Sequence, residues 1–162
     1  MKQFHRLVIA VAALFVPVAA TIAAPGAMFP FVNTAPDAPL PSRAEVLRDG
    51  VPLPFSEWQD MTAGRTVWYF TEDGLWGRET YRPSDAPGGG MVTFEHRDGD
   101  CLDAAWTYDA GLFCFDFGAG PPHCFEHIRW QDRLFALSVG GDVQEVKRID
   151  RTGLTCGAAP VS

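Results

Sequence analysis

From residue 65 to residue 150, the chain alternates short apolar, aromatic-rich runs with turn-forming residues. Runs of this length that are rich in Val, Ile, Phe, Tyr and Trp predict β-strands. The predicted strands span 66–71, 75–82, 91–96, 101–108, 112–117, 123–130, 133–139 and 143–149. The links are short, and Asp98-Gly99 is a pair that favours a tight hairpin. The pattern therefore predicts an antiparallel meander of about eight strands.

Eight antiparallel strands with short links are typical of a small up-and-down barrel, which holds one ligand or fills its own interior. We therefore predict a mainly β fold that is barrel-like (lipocalin-like) and carries two short N-terminal helices. A twisted open sheet clasped by those helices is the alternative. Within 101–108, alternation places Leu102, Ala104, Trp106 and Tyr108 on one face and Asp103 on the other.

Two capping signals precede the strands. Ser42 and Glu45 have the capping-box spacing, and Ser-Glu-Trp-Gln at 56–59 repeats it. Gly50 and Gly64 follow as expected left-handed stops. Each predicted helix has only about two turns, so packing against the sheet must stabilise it.

The N-terminal region has the pattern of an export signal. A basic start precedes an apolar run at 7–24, with small residues for cleavage after Ala20 or Ala23. We predict a signal peptide at 1–23, a Pro-rich leader at 24–41 and a tail at 158–162. A retained membrane anchor is the alternative, because 18 apolar residues barely span a bilayer.

The region between leader and tail, 42–157, is the predicted single domain. The leader contains Phe29, Phe31 and Val32, which are apolar enough to dock on that domain or on a partner. No later run is apolar enough to cross a membrane, so we expect no stable membrane insertion after cleavage. A periplasmic or secreted location follows.

The four cysteines then predict disulfides, which persist after export. If the turn at 118–122 is centred on Ala119, Cys114 and Cys124 lie opposite each other and can be bridged. Cys101 and Cys156 remain as the second pair. The alternative is a zinc or copper site that combines these cysteines with nearby histidines, namely His96, His123 and His127. Their spacing matches no recognised finger, so we predict no metal and no cofactor.

Charge and composition narrow the partners. Cleavage would leave 11 basic against 20 acidic residues, and such a negative chain disfavours nucleic acid and anionic lipid. Twelve Phe, five Trp and three Tyr favour an aromatic-rich core. The candidate ligand contacts are Trp68, Tyr69, Trp76, Trp106 and Phe115. The expected partner is a small molecule or a periplasmic protein.

Two residues are candidates for catalysis. Glu126 shares a strand face with Cys124 and Ile128, where an apolar setting would favour its acid form. His127 lies on the opposite face with aromatic neighbours, and Asp116 is a further acid nearby. No nucleophile elbow, phosphate loop or metalloprotease motif is present. Asp98, Asp100 and Asp103 lack the ligand spacing of a calcium loop, so we expect a solvated turn there.

A series of short motifs also resembles a known group. In chain order these are Gly64-Arg65-Thr66, Asp98-Gly99, Cys101, Trp106, Phe113-Cys114 and Cys124. Over about residues 64–139, they resemble an uncharacterised family of small exported alphaproteobacterial β domains, a domain of unknown function. The resemblance implies an exported β domain and brings no activity or functional residue with it.

Three functional hypotheses follow from these observations. The first is a non-enzymatic module that binds a small apolar or aromatic ligand in the barrel mouth, or a protein on its surface. The second is a periplasmic hydrolase or lytic enzyme that uses Glu126 with His127 or Asp116. The third is a structural or inhibitory protein without a pocket.

Overall fold

A computed structural model describes residues 31–32, 38–82 and 88–157. The predicted signal peptide, most of the leader and the tail at 158–162 lie outside the described residues. Ten strands and two α-helices are present in the part of the chain described. The helices are α1 (Arg43–Asp49) and α2 (Phe55–Thr62), and the first two strands are β1 (Phe31–Val32) and β2 (Val51–Pro52).

Eight further strands form a closed antiparallel barrel, which confirms the predicted fold class. They are β3 (Thr66–Thr71), β4 (Gly74–Tyr81), β5 (Gly89–His96), β6 (Cys101–Asp109), β7 (Leu112–Asp116), β8 (His123–Trp130), β9 (Arg133–Ser138) and β10 (Val143–Asp150). Each pairs with the next, and β10 pairs with both β9 and β3 to close the ring. The barrel, and not the open sheet, is therefore the architecture.

The two shortest strands add to this ring from outside. Phe31–Val32 pairs with β10 at Arg148 and Ile149, so the leader docks on the domain at this point. Val51–Pro52 pairs with β8 beyond the end of β7. Among the residues that the structure describes, no helix combines the length and apolarity that a membrane crossing requires.

Helix α1 covers the outside of the barrel. Its N-terminus carries the predicted capping box, because Ser42 and Glu45 bond each other's backbone amides. Val46 packs on an outer cluster of β8 and β9 that includes Ile128 and Phe135. Gly50 ends the helix with a φ of −86°, so the expected left-handed stop is wrong at this position. The chain needs glycine there because a Cβ would lie 2.4 Å from Ile128 Cγ2.

Helix α2 closes one end of the barrel. It begins at Phe55 after Pro54 and has no side-chain cap, so the predicted box at 56–59 is wrong. Packing sets this start: Phe55 stacks on Tyr108 at 4.5 Å between ring centroids, and Trp58 is buried among core aromatics. Gly64 follows the helix with a φ of +63°, which matches the predicted left-handed stop.

Both disulfides lie on the outer wall and join the cysteines in the predicted pairs. Cys114 and Cys124 are register partners in the hairpin of β7 and β8. Cys101 is bonded to Cys156, which ties the C-terminal segment to the start of β6. Two such bridges fit an exported or otherwise oxidising setting, because cytosolic reductants keep thiols free.

The outer wall also holds a polar network, which we call the outer network: Trp68, Arg78, Glu95, Arg148 and Asp150. The Arg148 guanidinium lies 3.9 Å and that of Arg78 4.7 Å from the Trp68 ring centroid. Trp68 Nε1 donates to Asp150 at 3.3 Å, and Arg78 pairs with Glu95. Charged and aromatic groups on this face therefore satisfy one another.

Candidate functional site

The barrel encloses a cavity of about 500 Å³. Its mouth lies at the end where four hairpin turns meet, because the lining includes residues next to the turns after β3, β5, β7 and β9. Helix α2 closes the opposite end. A volume of this size falls within the range of small-molecule sites, about 300–1,000 Å³. The interior of the barrel is therefore open near the turns and filled by side chains next to helix α2.

Aromatic rings are the largest group of side chains in the cavity wall. The aromatic members of the lining are Tyr69, Trp76, Phe94, Phe115, Phe117 and Phe125. Phe94 lies across Gly77, where an added Cβ would come within 2.3 Å of the ring. Trp76 is the extra residue of a bulge between β3 and β4, and it packs edge-on against His96 at 4.8 Å. Such a bulge re-aims a side chain, and here it brings Trp76 to the mouth.

A buried carboxyl group lies deep in the cavity. Glu79 is 5% exposed, and its Oε1 accepts hydrogen bonds from the hydroxyls of Tyr81, at 2.7 Å, and Tyr69. Burial raises the pKa of Glu79 to about 7, although both hydroxyl bonds act to lower it. Burial and the neighbouring Glu79 also raise the pKa of each tyrosine well above its usual value. Near neutral pH, the Glu79 carboxyl can therefore gain or lose a proton.

His127 is the second buried polar group of the cavity. It is 4% exposed, and neither ring nitrogen has a hydrogen-bond partner among the described residues. Its ring lies 4.0 Å from that of Trp58 and meets the edge of Phe113 at 4.6 Å. Burial lowers the pKa of His127 to about 3, so the imidazole is neutral at physiological pH. A neutral imidazole offers one donor and one acceptor, and both remain available.

Glu79 and His127 belong to one connected set of side chains at the closed end of the barrel. We call this set the floor and define it as Trp58, Tyr69, Glu79, Tyr81 and His127, of which Tyr69, Glu79 and His127 line the cavity. Trp58 meets Tyr81 edge-on at 6.2 Å between centroids and lies beside His127. Tyr81 in turn binds Glu79. The floor can therefore donate and accept hydrogen bonds at the closed end of a cavity that is rich in aromatic rings.

The structure divides the five predicted ligand contacts into three groups. Tyr69, Trp76 and Phe115 line the cavity. Trp106 is buried on the same face but lies at the end that helix α2 closes, with its ring centroid 6.2 Å from that of Phe55. Trp68 belongs to the outer network and does not line the cavity. A role in binding stays a prediction for the three lining residues.

The two catalytic candidates are placed on opposite sides of the wall. His127 lines the cavity, whereas Glu126 lies on the outer face between Cys124 and Ile128, as alternation predicts. Asp116 is exposed and also outside the cavity. The structure therefore does not bring either acid to His127.

Sequence reasoning missed Glu79, which is the central polar group of the site. The signal is present in the predicted strand 75–82, where alternation places Gly77, Glu79 and Tyr81 on one face. An acid on the same face as a tyrosine and a glycine would have marked an interior polar position. Phe94 and Phe125 follow the same rule on their strands.

One group of potential metal ligands occurs among the described residues. Glu95, Cys101 and Cys156 have ligand atoms within 4.8 Å of one another. The two cysteines are bonded to each other, so neither offers a thiolate. The group is therefore explained by the disulfide. The histidines of the predicted metal alternative do not join it, and Cys124 is likewise in a disulfide.

Comparisons with known proteins add no relative to this picture. No family model matches the chain, no curated protein matches it, and no solved structure matches it. The fold and the cavity are therefore interpreted from the residues themselves.

Proposed function

We propose that this protein is an exported, non-enzymatic binding protein that holds a small organic molecule inside its barrel. The observation that carries the proposal is the cavity, which combines an aromatic wall with buried polar groups that have open hydrogen-bonding positions. Leaving such groups without partners costs stability, so a fold retains them most readily where a ligand completes them.

The two disulfides support the proposed location. They stabilise a small domain by joining side chains on the outer wall. The residues next to three of these cysteines, Leu102, Phe115 and Phe125, line the cavity on the opposite face. No described cysteine is free, so the described part of the domain has no thiol that an oxidising compartment could modify. Periplasmic or secreted residence remains part of the proposal.

Binding of a small molecule in the cavity is tested with a dye. The whole chain is exported in a bacterial host so that both disulfides form, and titrated with Nile red, an uncharged dye that brightens in apolar surroundings. We expect saturable one-to-one binding. Ala136 is buried and lines the cavity, so Ala136→Leu fills space and should weaken binding by about tenfold or more.

The matched control is Ala105→Leu, which adds the same atoms at an exposed position on the outer face of β6. It should leave dye affinity unchanged. Circular dichroism confirms that both variants are folded. Equal affinity of the two folded variants, or no saturable binding by the parent chain, would overturn the proposed function. Native mass spectrometry of the exported protein then shows whether a host molecule is already bound.

A further inference from the structure

Carboxyl groups are the acidic members of the cavity lining, and they are Glu79, Asp100 and Asp142. Among the described residues that line the cavity, none is Lys or Arg. A concave site with walls of low dielectric constant concentrates the field of its charges. Ionised carboxylates therefore make this cavity unfavourable for a fatty acid or a phosphate ester and favourable for a cation.

Glu79 has an open position for that cation. Both tyrosine hydroxyls donate to Oε1, and no donor from the described residues reaches Oε2. A buried carboxylate is stable when a positive charge and hydrogen bonds compensate its lost hydration. The tyrosines supply hydrogen bonds but no charge. The floor therefore lacks the one component that a positively charged ligand brings.

The aromatic wall suits the same kind of ligand. The faces of Trp, Tyr and Phe rings attract cations, and aromatic cages are a recurrent way to bind an ammonium group. Phe94, Phe115 and Phe125 line the cavity and also give apolar contacts to the body of a ligand. His127 adds an acceptor nitrogen that an N–H group can use.

We propose that the cavity binds a protonated organic amine with an apolar body, whose ammonium group donates to Glu79 Oε2 and lies within the aromatic wall. This inference rests on the proposed function, because it assigns a ligand class to the same cavity. A primary or secondary amine fits better than a quaternary ammonium ion, which has no N–H to donate to His127.

Proton binding at the site gives the proposal a second consequence. The titratable groups that surround Glu79 are two tyrosines and one histidine in the floor, with two histidines and two aspartates towards the mouth: Tyr69, Tyr81, His127, His96, His123, Asp100 and Asp142. His127 stays neutral because burial lowers its pKa. An amine requires the ionised form of Glu79, so its affinity should rise with pH up to the pKa of about 7 and then level off.

Three probes of similar shape test the charge preference: naphthylmethylamine, naphthalenemethanol and naphthoate. Isothermal titration calorimetry of the whole exported chain at about pH 8.5 should show the amine binding about tenfold or more tighter than the alcohol, and the carboxylate weakest. At about pH 5.5 the amine should lose roughly 30-fold in affinity, while the alcohol changes little.

Glu79→Gln should bring the amine to the affinity of the alcohol and remove the Glu79 part of the pH dependence. Glu126→Gln is the matched control, since it makes the same chemical change on the outer face. Benzyltrimethylammonium should bind more weakly than benzyldimethylamine in its protonated form if the N–H donor matters. Tighter binding of the alcohol or the carboxylate, or an unchanged amine affinity in Glu79→Gln, would overturn the proposal. Failure of all probes and of Nile red would instead contradict the proposed function itself.

Discussion

Glu79 and Glu95 lie on adjacent strands and are each 5% exposed, but they face opposite sides of the barrel wall. On the outside, Glu95 is paired with Arg78. Its Oε2 also accepts a hydrogen bond from the backbone N–H of Thr155 at 2.7 Å. Burial acts to raise the pKa of Glu95, but the bonds from Thr155 and Arg78 outweigh it and hold the pKa below its usual value. Burial raises the pKa of Glu79 to about 7, and no Lys or Arg among the described residues that line the cavity offsets that effect.

Similar solvent exposure is therefore accompanied by opposite pKa shifts on the two faces: Glu79 lies deep inside the barrel, whereas Glu95 lies on the outer wall with bonds from Thr155 and Arg78. The outer wall repeats the paired arrangement at Glu145, which is 1% exposed and bound by Arg133 through two hydrogen bonds of 2.9 and 2.8 Å. Polar groups outside are arranged for stability. The arrangement of the polar groups in the floor lowers stability, as is common for binding sites.

The largest effect should come from breaking the pairing on the outer wall. Arg133→Met removes the guanidinium and leaves the Glu145 carboxylate without it in a buried position. Removing one partner of a buried ion pair typically costs about 3–5 kcal/mol. Chemical denaturation should show a loss of that order in the free energy of unfolding.

The control for this prediction is Arg48→Met. Arg48 pairs with Asp49 at 2.8 Å, but both side chains are more than half exposed. Surface pairs of this kind contribute about 0–1 kcal/mol. Equal losses in the two variants would contradict the claim that burial makes the outer pairs important.

The next effect concerns the disulfide that closes the outer wall. Cys101 and Cys156 are 55 positions apart, and in the chain-entropy model such a loop contributes about 4 kcal/mol. Replacing both cysteines with serine should lower the free energy of unfolding by that order. Replacing Cys114 and Cys124, which are 10 positions apart, should cost about 2–3 kcal/mol. A larger loss from the shorter loop would show that hairpin packing, and not chain entropy, determines the effect.

Glu79→Gln should change how stability depends on pH. The pKa of Glu79 is about 7 in the folded chain and near 4.5 when unperturbed. Between those values the folded chain binds more protons than the unfolded one, so the Glu79 contribution to stability falls as pH rises, and it is constant above pH 7. Relative to the parent, Glu79→Gln should therefore gain about 3 kcal/mol between pH 4.5 and pH 7. A difference that is independent of pH would contradict the raised pKa.

His127 should act in the opposite direction. Its pKa is lowered from 6.5 to about 3, so below pH 6.5 the unfolded chain binds the extra proton and stability falls as the solution becomes acidic. His127→Gln should gain stability relative to the parent on acidification through this window. The two groups oppose each other between pH 4.5 and pH 6.5, so only the variants, compared with the parent by denaturation at each pH, separate them.

Alternation and turn chemistry were sufficient to predict the strands and their antiparallel order. The strands at 66–71 and 123–130 have the predicted bounds, and the others differ by one or two residues at one or both ends. Symmetry about the turn at 118–122 also predicted that Cys114 faces Cys124. These features are local, because each depends on residues within one hairpin. The choice of a closed barrel over an open sheet depends on the pairing of β3 with β10, which no local pattern specifies.

The site was predicted only in part for the same reason. Aromatic composition indicated Tyr69, Trp76 and Phe115, but it could not separate them from Trp68, whose strand neighbour Tyr69 faces the other side. A bulge between β3 and β4 shifts the alternation at Trp76, and its position depends on the partner strand. Alternation in its own strand can place Glu79 on an inner face, but the hydrogen bond from Tyr69 joins two strands and is specified by neither strand alone.

The smallest effect distinguishes the helix on the outer wall from the helix below the floor. Helix α1 has a capping box, in which the Glu45 carboxylate accepts from Ser42 N–H at 2.8 Å and Ser42 Oγ accepts from Glu45 N–H at 3.3 Å. Ser42→Ala removes that cap and should cost about 1 kcal/mol. Ser56 has the same sequence spacing but lies inside α2, exposed and without a cap bond. Ser56→Ala should therefore stay within about 0.5 kcal/mol of the parent on chemical denaturation.

If both substitutions cost the same, capping would not distinguish the two helices. The contrast between α1, which hydrogen bonds hold on the outer wall, and α2, which packing holds below the floor, would then be wrong. The expected difference follows from what holds each helix. Helix α1 contributes one fully buried side chain, Val46, so its end depends on hydrogen bonds. Helix α2 inserts Phe55 and Trp58 among the core rings, and that apolar burial sets its position whether or not a serine caps it.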